Sequence, residues 1–109
     1  SDCLTSTMLR SMSMKVLEFH AQNLTNTAWA FSSLNILDEP LLEAISAASI
    51  KLIGSFIPLE LTNLAWSFAA IGFFDAPLFK AIAAEALNRI SVFQSYNLAM
   101  LAWAFAKLE

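Results

Sequence analysis

A single cysteine, Cys3, leaves the chain unable to form an internal disulfide, and a thiolate metal site would need a second chain. With two Gly and three Pro, collagen-like and low-complexity architectures are excluded. Charge is also sparse: charged residues make up 14% of the sequence, against a usual level of about 25%. Six basic residues against nine acidic ones give a net charge of −3, so the strongly basic footprint of a typical nucleic-acid binder is missing. A membrane span needs roughly 18–20 consecutive apolar residues, and no such run exists. The longest uncharged stretches, Phe19 to Leu37 and Ile90 to Ala106, are broken by Asn, Gln, Ser or Thr. The first residues carry neither an initiator Met nor the basic, apolar, small-residue order of a signal peptide, so targeting information is expected to be absent or removed.

What the chain does have is hydrophobicity. Residues of that class reach 58%, with nine Phe and three Trp, which excludes intrinsic disorder and calls for extensive burial. The explanation lies in self-similarity, because Trp29, Trp66 and Trp103 recur every 37 residues. The same interval relates Phe19, Phe56 and Phe93; Leu24, Leu61 and Leu98; Ala28, Ala65 and Ala102; and Phe31, Phe68 and Phe105. Residues 19–55 written over 56–92 give 14 identities in 37 positions without a gap.

Each unit reads as two helices. In the first, helix A, Leu24, Ala28 and Phe31 fall at i, i+4 and i+7 over about residues 21–34. In the second, helix B, Asp38 supplies the cap and Pro40 stands in the first turn, with Gly54 expected to end the helix near Ile53. The next unit predicts helix A from Pro58 to Gly72 and helix B from Asp75 to about Ile90, and the last helix A is placed at Leu98 to Leu108. Leu4, Met8, Val16 and Phe19 precede Leu41, Ile45, Ile53 and Phe56 by the same 37 residues, so residues 2–17 read as a degenerate helix B. Connections of about four residues make each A–B pair an antiparallel hairpin.

The fold class that follows is all-α: a right-handed α-solenoid of about three 37-residue antiparallel hairpins, six helices in total. Its divisions are residues 1–18, the degenerate helix B of a preceding repeat; 19–55, unit 1; 56–92, unit 2; and 93–109, helix A of a truncated unit 3. The apolar last helix, lacking the polar outer face of a capping repeat, implies a fragment of a longer array or one held in a larger complex. Trp29 and Phe31 lie about 160° apart on helix A, which assigns Trp29, Trp66 and Trp103 together with Phe31, Phe68 and Phe105 to packing within and between repeats.

No catalytic constellation is present: the lone His20 is replaced by Ile57 and Gln94 in the other units, and Glu39 and Glu43 suit the start of a helix better than a metal. The reading is a non-enzyme without metal, cofactor or small-molecule substrate. Solenoids instead present a repeated surface. Gln22, Asn26 and Ser33 lie within about 40° of one another, away from the Leu24 and Phe31 stripe. The equivalent positions hold Leu59, Asn63 and Ala70, then Tyr96, Met100 and Lys107. Constant scaffold with variable surface triplets suits a reader of single-stranded RNA, where amides meet base edges and aromatics stack. The candidate RNA contacts are Gln22, Asn26, Asn63, Tyr96 and Lys107.

The strings Asn23-Leu-Thr-Asn-Thr-Ala-Trp-Ala-Phe-Ser-Ser-Leu34, Leu61-Thr-Asn-Leu-Ala-Trp-Ser-Phe-Ala-Ala-Ile71 and Asn97-Leu-Ala-Met-Leu-Ala-Trp-Ala-Phe-Ala-Lys-Leu108 resemble the helix A motif of octotricopeptide-like repeats. They resemble still more closely, in length, the heptatricopeptide repeats of proteins carrying a RAP domain. Tetratricopeptide arrays have a shorter period. The resemblance implies a protein of a plastid or mitochondrion, soluble or peripherally associated with a complex, that acts on organellar RNA in maturation, stability, translation or ribosome assembly. Its implied partners are single-stranded organellar RNA and the protein subunits of a larger complex. The alternative is a non-catalytic scaffold subunit packed within such a complex, which the negative charge and apolar surface favour.

Overall fold

The computed structural model describes Met8 and residues 20–108. The expected degenerate helix B over residues 2–17, Cys3 and the start of unit 1 at Phe19 lie outside the described residues. Within them the fold is all-α, with five α-helices and no strand. They are α1 (Ala21–Ser33), α2 (Glu39–Lys51), α3 (Pro58–Ile71), α4 (Ala76–Asn88) and α5 (Ser95–Leu108).

Repeated chemistry starts these helices in a repeated way. The carboxylates of Asp38 and Asp75 each accept the backbone N–H three residues on, from Leu41 and Leu78 at 3.0 Å, with Pro40 and Pro77 in the first turn. A carboxylate here satisfies one of the free amides of the first turn and meets the positive end of the helix dipole. The helices of type A use the reverse arrangement. Backbone amides of His20, Ile57 and Gln94 donate to the side-chain oxygens of Asn23, Glu60 and Asn97 at 3.1, 2.9 and 3.1 Å. One further consequence concerns α5: the Asn97 bracket starts it at Ser95, three residues before the expected Leu98.

The ends of the helices differ from expectation at one point. Gly54 does not end α2 as a left-handed cap; the α-helix stops at Lys51, and Gly54 lies inside a 3₁₀ turn, Ile53–Ser55. A matching turn, Ile90–Val92, follows α4. Left-handed backbone occurs instead at Asn35 (φ 55°) and Gly72 (φ 81°), which are 37 residues apart and follow α1 and α3. Asn and Gly are the residues that tolerate this conformation best, and it lets the amides of Ile36 and Phe73 turn back onto the carbonyls of Phe31 and Phe68.

The A-type helices pack side by side: α3 has α1 on one flank and α5 on the other, in the most extensive helix contacts of the described chain. The B-type helices α2 and α4 form a second row beneath them. The core lies between the rows. Leu24, Ala28 and Phe31 of α1 and Leu61, Ala65 and Phe68 of α3 are buried there against Leu41, Ile45, Leu78 and Ile82. Arg89 adds a clasp, donating to the Phe56 carbonyl at 2.6 Å while pairing with Glu85 at 3.1 Å, which ties the end of α4 to the start of α3.

Candidate nucleic-acid interface

With both flanks of α3 and its underside covered, one narrow strip remains open along that helix, and α1 and α5 leave the equivalent strip open. On α1 it comprises Gln22, Asn26, Trp29 and Ser33, all exposed. On α3 the equivalents are Leu59, Asn63, Trp66 and Ala70, exposed or half-buried. On α5 they are Tyr96, Met100, Trp103 and Lys107. Laid side by side, the three strips make one surface of four tracks running across the helix row.

The structure therefore brings the five candidate RNA contacts, Gln22, Asn26, Asn63, Tyr96 and Lys107, onto one face. No side-chain hydrogen bond among the described residues uses Gln22, Asn26 or Asn63. By contrast Asn23 and Asn97, which belong to the same motif strings, serve as helix brackets, and Asn97 is buried. His20 is an exposed residue at the start of α1, and no group of His, Cys, Asp or Glu among the described residues could hold a metal ion.

The tryptophans also belong to this face. Trp29 is 54% and Trp103 45% exposed, and Trp66 is half-buried. Trp66 and Trp103 do meet between repeats, with ring centroids 6.1 Å apart and planes at 22°. The contact is made on the outer surface and not in the core. Met100 and Ala99 complete a shallow groove around the pair, and the Lys107 ammonium lies 5.6 Å from the centre of the Trp103 ring. The sequence assigns the tryptophans to packing between repeats because they recur in every unit and point away from Phe31, Phe68 and Phe105. The signal was available: at about 100° per residue Trp29 falls about 20° from Gln22, next to the arc of the chosen triplet. The phenylalanines two positions on point the other way. Phe31 and Phe68 are buried, and Phe105 is half-buried against Phe79 of α4 at 5.0 Å.

Charge is distributed unevenly around this fold. None of the twelve positions on the face is a carboxylate, and one of them, Lys107, is basic. The described acidic residues stand elsewhere: Asp38, Glu39, Glu43, Asp75 and Glu85 on α2, α4 and their caps, with Glu60 engaged at the start of α3. A polyanion approaching the A-type row meets amides, aromatic rings and an ammonium group, while five of the six described carboxylates lie on the other row together with Lys51, Lys80 and Arg89.

A second exposed feature lies between α4 and α5. Ala83, Leu87, Ile90, Leu98, Ala102 and Phe105 line an almost wholly apolar groove. Leu98 and Ala102 are exposed, although the residues that match them in the other units, Leu61 and Ala65, are fully buried. No helix of the described residues is long and apolar enough to cross a membrane.

Residues 5–109 match the family model for the RNA-editing substrate-binding complex 6 protein. No curated protein and no solved structure matches the chain.

Proposed function

The chain belongs to the RNA-editing substrate-binding complex 6 protein family, and on that premise we propose that it is a non-catalytic RNA-binding subunit of an RNA-editing assembly. In this reading the A-type row is part of a right-handed α-solenoid built from 37-residue hairpins of the octotricopeptide and heptatricopeptide kind. Units 19–55, 56–92 and 93–109 each contribute one strip of the interface, and the chain acts in maturation of organellar RNA. Family membership lends no support to a plastid; the mitochondrion is the compartment proposed. The observation that carries the reading is the convergence of Gln22, Asn26, Asn63, Tyr96 and Lys107 on one carboxylate-free face of a chain whose net charge is −3. Segregated charge of this kind removes repulsion where a phosphate backbone would pass.

Photo-crosslinking of the assembled complex tests this. RNA-linked peptides from α1, α3 and α5 are the expected result, and RNA links confined to other subunits would overturn it.

A further inference from the structure

We infer that the row formed by Trp29, Trp66 and Trp103 is a base-stacking platform for single-stranded RNA, running across the A-type helices. The inference rests on the RNA-binding reading above and identifies the groups that grip the strand. The fold does not require these indoles in its core. Two of the three repeats already bury a phenylalanine two positions further on, Phe31 and Phe68, and in the third Phe105 is half-buried. Trp29 and Trp103 are left about half exposed on the face that carries no carboxylate. Trp66 and Trp103 hold their planes within 22° of parallel, so α3 and α5 present aligned aromatic surface, and Trp29 is exposed at the equivalent position of α1.

The placement of Lys107 fits the same purpose. Its ammonium rests 5.6 Å from the centre of the Trp103 ring, an exposed cation–π contact. Such a contact is weaker than base–aromatic stacking, so an arriving base displaces the ammonium from the ring. The released charge then stands beside the strand, where it pairs with a phosphate. The amides of Asn26 and Asn63, on the adjacent track, can meet the edges of bases held on the rings. Stacking accepts every base because every base has a π-face. The platform thus binds single strands with little sequence preference, and affinity comes from rings more than from phosphates.

The chain's three tryptophans all lie on this row, so its intrinsic fluorescence reports the platform alone. The whole chain is titrated with a short oligoadenylate and with an abasic strand of equal length. Saturable quenching by oligoadenylate, little quenching by the abasic strand, and a loss of affinity of about 5- to 150-fold in Trp29→Ala or Trp103→Ala are expected. Trp29→Ala removes the most exposed of the three indoles and should leave helix content unchanged, which separates binding from folding. Full affinity in both variants, or equal binding of the abasic strand, would overturn the platform while leaving the RNA reading intact. Retained RNA affinity with lost assembly onto other subunits would assign the row to a protein contact and overturn it as well. Absence of RNA binding by the parent chain and its assembled complex would instead remove the underlying RNA reading.

Discussion

Trp66 and Trp103, separated by 37 residues of sequence, stack with ring centroids 6.1 Å apart on the outer surface of α3 and α5. Two residues after Trp66, Phe68 points inward and is fully buried. One repeat motif therefore supplies two aromatic layers with separate duties. The inner one fills the space between the helix rows, and the outer one covers the open strip.

The two layers should differ in energetic weight. Removing a fully buried Phe costs about 3–5 kcal/mol, so Phe68→Ala is expected to lower stability by that amount. Trp66 is larger but half-buried, and its replacement by Ala loses part of a ring pair and a fraction of the burial term, roughly 1–2 kcal/mol. Chemical denaturation of both variants checks the order. A larger loss for Trp66→Ala than for Phe68→Ala would show the indole to be core.

The 37-residue period, the A and B helices and the caps at Asp38 and Asp75 were legible in the sequence because each depends on local spacing and on residue types with one strong preference. The burial of Leu24, Ala28 and Phe31 followed from the same helical step. What eluded sequence reasoning was the outer position of the tryptophans, since recurrence in every unit suggested packing while angle placed Trp29 next to Gln22 and Asn26. The 3₁₀ turn around Gly54 was also hidden. A glycine after an apolar helix reads as a left-handed cap, but here that conformation is needed at Asn35 and Gly72 instead. The bracketing duties of Asn23 and Asn97 could not be separated from the surface duty of Asn26 without knowing where each helix begins.

The caps give a repeat-by-repeat test. Asp75→Ala removes the acceptor of the Leu78 amide and should cost about 1 kcal/mol, with Asp38→Ala costing a similar amount. The two sites are 37 residues apart in sequence and share no hydrogen-bond partner, so the double variant should show nearly the sum. At this chain size each cap should lower Tm by about 4 °C or more. Thermal unfolding followed by circular dichroism reads it, and an unchanged Tm in both single variants would show the capping bonds to be energetically idle.

The two glycines should respond oppositely to alanine. Gly72 holds φ 81°, where a Cβ is strained even though nothing lies within 4 Å of it. Gly72→Ala is therefore expected to destabilise by about 1 kcal/mol. Gly54 lies outside the left-handed region and also has open space around it. Gly54→Ala should be neutral or stabilising by up to about 1 kcal/mol, through the reduced freedom of the unfolded chain. Equal destabilisation of both would contradict the assignment of left-handed backbone to Gly72 alone of the pair.

Salt dependence separates this interface from an ordinary basic groove. Each phosphate neutralised on a single strand contributes about −0.7 to the slope of log affinity against log salt. With Lys107 as the one basic side chain among the described positions of the face, the expected slope is about −0.7, whereas six or more contacts would give about −4 or steeper. Lys107→Ala should flatten the slope by about 0.7, while Trp29→Ala should lower affinity at every salt concentration and leave the slope unchanged. Binding isotherms over a series of potassium chloride concentrations supply both numbers. A steep slope in the parent chain would mean that cations away from this face carry the RNA.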